Sequence, residues 1–359
     1  MNKIIIAALM VLSTMRAISQ NDVTVNPLTI SGYLETYYTF DAGKPENGAR
    51  PAFVYSHNRH NEVNLNLGFV KAAYAANNFR GNMALMTGTY ANANLAAEPG
   101  VLKNIFEANA GVKIAKNKNL WVDAGIFASH IGFESAIGKD CWNLTRGILA
   151  DNSPYYESGA KISYTTDDGR WFVSGLLLNG WQRIQRVGGN SAAAFGHQLT
   201  FKPNDKITLN SSSFVGSDTP DSTRLMRYFH NFYGIFQVTE KLGITMGFDI
   251  GTQESGLREG DYNTWYTPIV MVRLAASERM YLSLRGEYYN DENGVIISTG
   301  TPSGFQTFGY SLNLDYQIAN NIVWRVEGRG FNSKDKIFTL NGDASNHNFF
   351  FTTALALSF

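Results

Sequence analysis

The chain has 359 residues, and its 30 lysine and arginine residues equal its 30 aspartate and glutamate residues. This balance argues against nucleic acid or another polyanion as a partner. The single cysteine, Cys141, excludes an internal disulfide framework.

The N-terminal residues have the pattern of an export signal. The apolar run Ile4–Leu12 precedes Ala17-Ile18-Ser19, which resembles a cleavage site. We expect a removed signal peptide over residues 1–19 and a single transmembrane β-barrel over residues 20–359. A membrane anchor is less favoured, because the run is shorter than the roughly 20 apolar residues of a spanning helix. No later stretch approaches that length, so an exported chain folds in a soluble compartment or spans as a closed barrel.

Segments with the period-two alternation of β-strands follow in chain order. The predicted strands are 29–40, 62–74, 79–91, 104–115, 120–130, 155–166, 170–182, 193–202, 207–216, 227–238, 242–253, 264–275, 280–290, 305–318, 322–332 and 348–359. Tight turns rich in Asn, Asp, Gly and Lys join alternate pairs of them, as hairpins favour.

Short and long connections alternate between these strands without exception. An even number of about 16 strands, with short periplasmic turns and long outer loops, is typical of bacterial outer-membrane barrels. Nothing in the architecture of a soluble β-sandwich requires short and long connections to alternate. The sequence therefore predicts an all-β fold, a closed antiparallel transmembrane β-barrel, in which strand 348–359 pairs with strand 29–40.

The last strand shows the alternation most clearly. Phe349, Leu355 and Phe359 share one face, and Thr352 and Ala354 share the other. One apolar face and one small or polar face suit a barrel wall between lipid and interior. The same apolar face on an edge strand of a soluble sandwich would risk aggregation.

Charged residues occupy many of the predicted inward positions. The residues predicted to line the lumen are Arg80, Glu107, Lys113, Asp249, Arg285, Glu287, Asp315, Arg325, Glu327 and Arg329. Barrels of about 16 to 18 strands leave an aqueous channel, so we expect these charges to face water. The opposite positions, among them Phe106, Phe248 and Phe308, are predicted to face lipid. The near balance of lumen charge indicates no ion preference.

The long segment 131–154 follows the fifth predicted strand, the position of the constriction loop in general porins. Its residues predicted to form a constriction are Glu134, Lys139, Asp140, Arg146 and Asp151, with a short helical piece near 144–149. We expect its carboxylates to oppose basic residues of the lumen. The alternative is an ordinary outer loop packed on the rim.

Other constellations in the sequence are weak. His57 and His60 could bind a metal, and segments 218–221 and 290–294 could hold calcium, but a solvated loop or a turn explains each more simply. Cys141 has no visible activator and is predicted to be a passive thiol. We expect no cofactor and no metal.

One pair of residues leaves an enzymatic alternative open. Barrel-borne lipid hydrolases carry Ser and His on adjacent lipid-facing strands, and His197 and Ser211 occupy neighbouring predicted strands. No local motif supports a nucleophile, and strand 193–202 alternates too poorly for its facing to be assigned. We expect no enzyme activity.

Several stretches resemble the OmpL-like β-barrel porins common among Bacteroidetes. They are Ile30–Glu35, Ser56–Asn61, Glu134–Gly138, Asp151–Gly159 and Leu178–Trp181. The resemblance covers essentially the whole mature chain and implies a channel in the outer membrane of a Gram-negative bacterium. By resemblance to known outer-membrane barrels, Phe359 carries the C-terminal signal that the barrel assembly machinery reads, and outer-membrane lipid is an expected partner. General porins commonly form homotrimers, and no mark in the sequence decides whether this chain does.

We therefore expect a porin-like channel for passive diffusion of small hydrophilic solutes. Two other functions stay open. One is a plugged surface barrel that binds or adheres through its outer loops, and the other is the lipid hydrolase. The sequence does not identify the solute.

Overall fold

Sixteen antiparallel strands close into a barrel in the computed structural model, which describes residues 27–258, 260–340 and 342–359. The predicted signal peptide lies outside the described residues. The first eight strands are β1 (Leu28–Asp41), β2 (Val63–Ala75), β3 (Phe79–Thr87), β4 (Ile105–Lys113), β5 (Asn119–Ala128), β6 (Tyr156–Thr165), β7 (Trp171–Leu178) and β8 (Ala194–Asn204).

The remaining elements are eight further barrel strands and the short strands and helices of the connecting loops. The other barrel strands are β9 (Ile207–Gly216), β10 (Arg227–Gln237), β11 (Leu242–Glu254), β12 (Tyr262–Ala275), β13 (Met280–Asp291), β14 (Phe305–Ala319), β15 (Ile322–Ser333) and β18 (His347–Ser358). A loop hairpin pairs β16 (Phe338–Leu340) with β17 (Asp343–Ser345). The helices are α1 (Thr89–Asn94), α2 (Ile148–Asp151) and the 3-10 segments Gly100–Asn104, Gly138–Asp140 and Asp221–Thr223. Among the described residues, no helix has the length and apolar character needed to cross a membrane.

Strands β1 and β18 close the barrel, which confirms the predicted pairing. Phe40 pairs with Phe351, and the backbone N–H of Gly32 donates to the carbonyl oxygen of Phe359 at 2.8 Å. A β-carbon at Gly32 would collide with the Phe359 ring. Glycine at this position therefore lets the terminal ring lie across the closing strand.

Apolar side chains cover the outer surface, in agreement with the predicted alternation. Exposed examples are Ile30, Phe232, Phe248, Leu284, Phe308 and Leu355. The same strands turn Tyr33, Asn231 and Thr352 inward, where each is buried. The predicted alternation of short turns and long loops is also present, because each tight turn lies at one end of the barrel and each long loop at the other.

Two β-bulges reverse the predicted facing of parts of the wall. Asn66 is the extra residue opposite the Glu35/Thr36 register shift, and Phe106 is the extra residue opposite the Ala84/Leu85 shift. The Phe106 ring stacks on that of Phe69 inside the barrel, with centroids 4.8 Å apart. The prediction that Phe106 faces lipid is therefore wrong, because a bulge offsets the alternation by one residue.

Strand β3 ends at Thr87, earlier than predicted. Gly88 has φ 124°, a backbone conformation that residues other than glycine rarely adopt. A β-carbon there would lie 2.4 Å from the carbonyl oxygen of Asn66. The chain then enters α1, whose Tyr90 is buried. Gly88 is thus required where the chain passes close to the backbone of Asn66. The strand ends there, and the outer loop that follows turns inward.

Aromatic side chains fill part of the outer half of the interior. Phe53, from the loop between β1 and β2, has its ring 4.8 Å from Phe305, 5.3 Å from Phe331 and 6.2 Å from Phe338. All of these rings are buried. The outer half of the barrel is consequently narrowed by packed loops.

Candidate functional site

The connection between β5 and β6, residues 129–155, folds into the barrel; we call it the inward loop. It contacts the inward faces of β13, β14 and β15, which we call the anchoring wall. Arg325 on β15 donates to the carbonyl oxygens of Gly138 and Cys141, and the backbone N–H of Leu144 donates to Asn313 Oδ1 at 3.0 Å. The loop thus crosses the lumen, as its position after the fifth strand suggested.

Opposite charges of the anchoring wall hold the loop at the backbone of one residue, Thr145. Arg285 donates to the carbonyl oxygen of Thr145 at 2.7 Å, and Glu327 accepts the backbone N–H of the same residue. Arg285 and Glu327 also pair with each other at 2.8 Å. Each buried charge therefore has both an opposite charge and a loop dipole as partners, which offsets its desolvation.

A second pair of wall residues holds the next turn of the loop. Glu287 accepts the backbone N–H of Ile148 at 2.6 Å, and Arg329 donates to the carbonyl oxygen of Arg146 at 2.6 Å. Arg329 also contacts Glu287. α2 begins here, so the predicted helical piece exists but lies later in the loop.

The structure corrects the prediction that most charged inward residues face water. Asp249, Arg285, Glu287, Asp315, Arg325, Glu327 and Arg329 point inward but are between 0 % and 4 % exposed. Their partners are one another, the inward loop and, for Asp249, the amide of Asn231. Alternation predicts which way a side chain points, but it cannot show what covers that side chain.

Three of the five predicted constriction residues are buried inside the loop. Glu134 accepts the backbone N–H of Gly147 at 2.8 Å, and Arg146 donates to the carbonyl oxygens of Ser135 at 2.7 Å and Leu144 at 2.6 Å. Arg146 is thus an internal brace that fixes the shape of the loop. Burial raises the pKa of the Glu134 carboxyl.

Asp151 joins the inward loop to the first outer loop, the connection between β1 and β2. It accepts the hydroxyl of Ser56 at 3.0 Å and the hydroxyl of Tyr155 at 3.2 Å, and burial raises its pKa. Lys139 and Asp140 differ, since both are partly exposed and pair with each other at 3.3 Å. They are the predicted constriction residues that remain exposed to solvent.

The first outer loop is also folded inward, which the sequence did not indicate. His57 is fully buried, with Nε2 2.8 Å from Glu35 Oε1, and its backbone N–H donates to Asn66. Burial lowers the pKa of His57. The prediction of a solvated loop is therefore wrong at His57. The loop folds inward because the buried carboxylate of Glu35 on β1 takes His57 as its partner.

Several weaker candidates are resolved by local contacts. Within the described residues no cluster of His, Cys, Asp or Glu has the geometry of a metal site. Asp291 instead accepts three consecutive backbone N–H groups, those of Val295, Ile296 and Ile297, which is the geometry of a turn. Burial raises the pKa of the Cys141 thiol to about 11.

His197 and Ser211 lie on the outer face of the barrel. His197 contacts Ser213 and, at 3.4 Å, Ser211, whose hydroxyl lies 2.9 Å from His230. Exposed Phe195 and Phe232 lie on the same face. In the described part of the chain, no carboxylate is hydrogen-bonded to either imidazole, so the acid that orients a catalytic histidine is not among their partners.

Open space remains on the side of the lumen away from the anchoring wall. A cavity of about 240 Å³ separates the inward loop from β3–β6, and a second of about 400 Å³ lies below it. Both are lined by Glu107 and Ala128, so they adjoin. Arg80 pairs with Asp123 at 2.7 Å in the lower space.

A separate outer vestibule of about 360 Å³ is lined by Tyr55, Asp151, Trp181 and Arg227 among others. It shares no lining residue with the cavity beside the inward loop. Gln182 lies between them, accepting the backbone N–H of Tyr155 at 2.8 Å and donating to the carbonyl oxygen of Asn94 at 3.2 Å. This amide bridge links Tyr155, which lines the cavity beside the inward loop, to Asn94, which lines the vestibule.

Comparison with known families and structures places this geometry in context. The family model described as "Putative beta-barrel porin-2, OmpL-like" matches residues 27–359. A comparison with curated protein sequences gave no match.

Solved porin structures share the fold at low sequence identity. The anion-selective porin from Comamonas acidovorans is 7% identical, with a TM-score of 0.61 over 92% of this chain and 99% of that one. The outer membrane channel DcaP of Acinetobacter baumannii is 10% identical, with a TM-score of 0.60 over 92% and 97%. Salmonella typhi OmpF in complex with daunomycin is 9% identical, with a TM-score of 0.58 over 94% and 100%.

Proposed function

Because the chain belongs to the OmpL-like β-barrel porin family, we propose that it is a channel for passive diffusion of small hydrophilic solutes across the outer membrane of a Gram-negative bacterium. The apolar outer surface and the polar spaces inside support this proposal. Outer-membrane lipid, the barrel assembly machinery and a homotrimeric assembly are the proposed partners.

The observation that carries the proposal is the open space beside the inward loop. A solute would enter the outer vestibule, pass the amide of Gln182, cross the cavity beside the loop and leave through the lower space. Polar and charged side chains such as Glu107 and Lys161 line the lower space, so a solute that loses water in the narrow part regains polar contacts below it.

In this proposal the inward loop sets the width of the channel. The open space beside it lies along β3–β6, and the anchoring wall holds its other side. Glu134, Arg146 and Asp151 shape the loop from within, whereas Lys139 and Asp140 are exposed to solvent.

A closed binding barrel is the second candidate, and one observation favours it. The Gln182 bridge separates the outer vestibule from the cavity beside the inward loop. A barrel that stays closed there would use its outer vestibule to bind a partner rather than to admit a solute.

Planar-bilayer recording of the purified protein separates the two candidates. We expect discrete conductance steps, and a larger single-channel conductance when residues 138–147 are replaced by a short Gly-Ser linker. Shortening the β11–β12 connection, where Leu257 is 87% exposed, is the control and should leave the conductance unchanged. Absence of any conductance from the natural protein would favour the binding barrel, and an unchanged conductance in the linker variant would overturn the constriction.

A further inference from the structure

The charges that remain in contact with the open lumen are not balanced, although the full set of inward charges nearly is. On the anchoring wall, Glu287 and Glu327 are buried, and each is engaged by arginines and by the inward loop. Asp315, on the same wall, is held by Arg325 at 2.7 Å. These carboxylates are therefore shielded from a solute.

The opposite side of the barrel, formed by β2–β9, borders the open space; we call it the open wall. Its inward cations are Lys71, Arg80, Lys113, Lys161 and Lys202. Two inward carboxylates line the lower space, the partly exposed Glu107 and the buried Asp123. One further carboxylate, Glu157, is fully buried and cannot meet a solute.

Two of the cations on the open wall are neutralised by the two carboxylates. Lys71 Nζ lies 2.7 Å from Glu107, and Arg80 donates two hydrogen bonds to Asp123. Such close pairs present little net charge to a solute. The field in the lower space therefore depends on the remaining cations.

Lys161 is the remaining cation nearest the middle of the path. It lines the lower space on β6, and its Nζ lies 4.8 Å from the centre of the Phe127 ring. Within the described residues it has no carboxylate within salt-bridge distance and no side-chain hydrogen bond. Further down, exposed Lys202 and Arg170 line the adjoining space.

We propose that the open wall makes the channel anion-selective, with Lys161 as the contact point for small solutes that carry a carboxylate or phosphate. This inference rests on the proposed function and names its class of solute. A positive field in a narrow, low-dielectric passage concentrates anions and excludes cations. An anion at Lys161 would meet a cation that forms no salt bridge, because Asp123, opposite it on β5, is already bound by Arg80.

The test is the reversal potential of single channels in a KCl gradient across a planar bilayer. We expect the natural protein to pass chloride in preference to potassium. Lys161→Glu should lower the chloride-to-potassium permeability ratio at least about two-fold, and Lys161→Gln should have an intermediate effect. Lys118→Glu is the control, because Lys118 lies in an exposed turn, paired with Asp167 at 3.4 Å, and should leave the ratio unchanged.

The outcomes separate this inference from the proposed function. A conducting channel without anion preference, or one whose permeability ratio is unaffected by both Lys161 variants, would overturn the inference and leave the channel intact. Complete absence of conductance would overturn both. Circular dichroism of each variant confirms that its barrel has formed before the recording.

Discussion

Arg285 on β13 and Glu327 on β15 pair at 2.8 Å across the intervening strand β14. Together they hold both backbone polar groups of one residue, the N–H and the carbonyl oxygen of Thr145. Both side chains are buried. The pair therefore serves the inward loop rather than the solute, and its loss should affect stability as well as conductance.

Replacing Glu327 by glutamine should destabilise the barrel by about 3–5 kcal/mol, because it removes the nearest carboxylate of the buried Arg285 and leaves Arg285 and Arg329 to share Glu287. The measurement is the thermal unfolding of the detergent-solubilised protein, followed by its heat-dependent shift on a denaturing gel. Glu62→Gln is the matched control. Its pair with Arg59 is partly exposed, so that change should cost less than about 1 kcal/mol. Equal effects would contradict the anchoring role.

Cys141 should be a native reporter of loop position. Burial raises the pKa of its thiol to about 11, so at neutral pH the folded protein should alkylate far more slowly than the unfolded chain. Arg325→Gln removes the donor to the carbonyl oxygens of Gly138 and Cys141 and should accelerate labelling. Because the chain has a single cysteine, mass spectrometry of the intact protein gives an unambiguous readout. Rapid labelling of the natural protein would show that the loop leaves the wall.

His57 should make stability depend on pH. Burial lowers the pKa of His57 despite the attraction of Glu35, so the folded state favours the neutral imidazole. This contribution is complete above the unfolded value of about 6.5 and is lost as the pH falls toward the lower folded value. The free energy of unfolding should therefore decrease from about pH 7 to about pH 5, and less steeply in His57→Gln. The exposed residue His347 provides the control substitution, which should keep the natural slope.

Phe359→Asp should reduce the amount of folded barrel in the outer membrane several-fold. The ring is 63% exposed on the outer surface and lies against Gly32 of the closing strand, so an aspartate would place a charge beside lipid. Phe359→Trp keeps an aromatic terminus and should restore assembly. The measurement is the quantity of folded protein in isolated outer membranes. Normal assembly of the aspartate variant would contradict a role for Phe359 as an assembly signal.

The strands could be predicted from the sequence because apolar and polar residues alternate where one face of a strand is apolar and the other is polar. The prediction of β9 as residues 207–216, for example, agrees with the structure at both ends. The bulge residues Asn66 and Phe106 could not be predicted, because an extra residue leaves the composition of a strand unchanged and shifts its facing.

The environment of the inward residues was predicted less well than their direction. Arg285 and Lys161 both alternate inward, yet one is buried beneath the loop and the other borders open space. The difference arises from which wall the inward loop contacts, a long-range relationship that local periodicity does not contain. Position after the fifth strand suggested that the loop enters the barrel, but not that it would cover most of the charged residues.

The side chains of the anchoring wall bind the inward loop mainly through the backbone of the loop. Arg325, Glu327 and Glu287 bind carbonyl oxygens or N–H groups that any amino acid would supply at those positions. Exposed loop side chains such as Lys139 can therefore be exchanged without disturbing the anchor. In the proposed channel, the residues that line the passage could therefore change while the barrel and its loop stay in place.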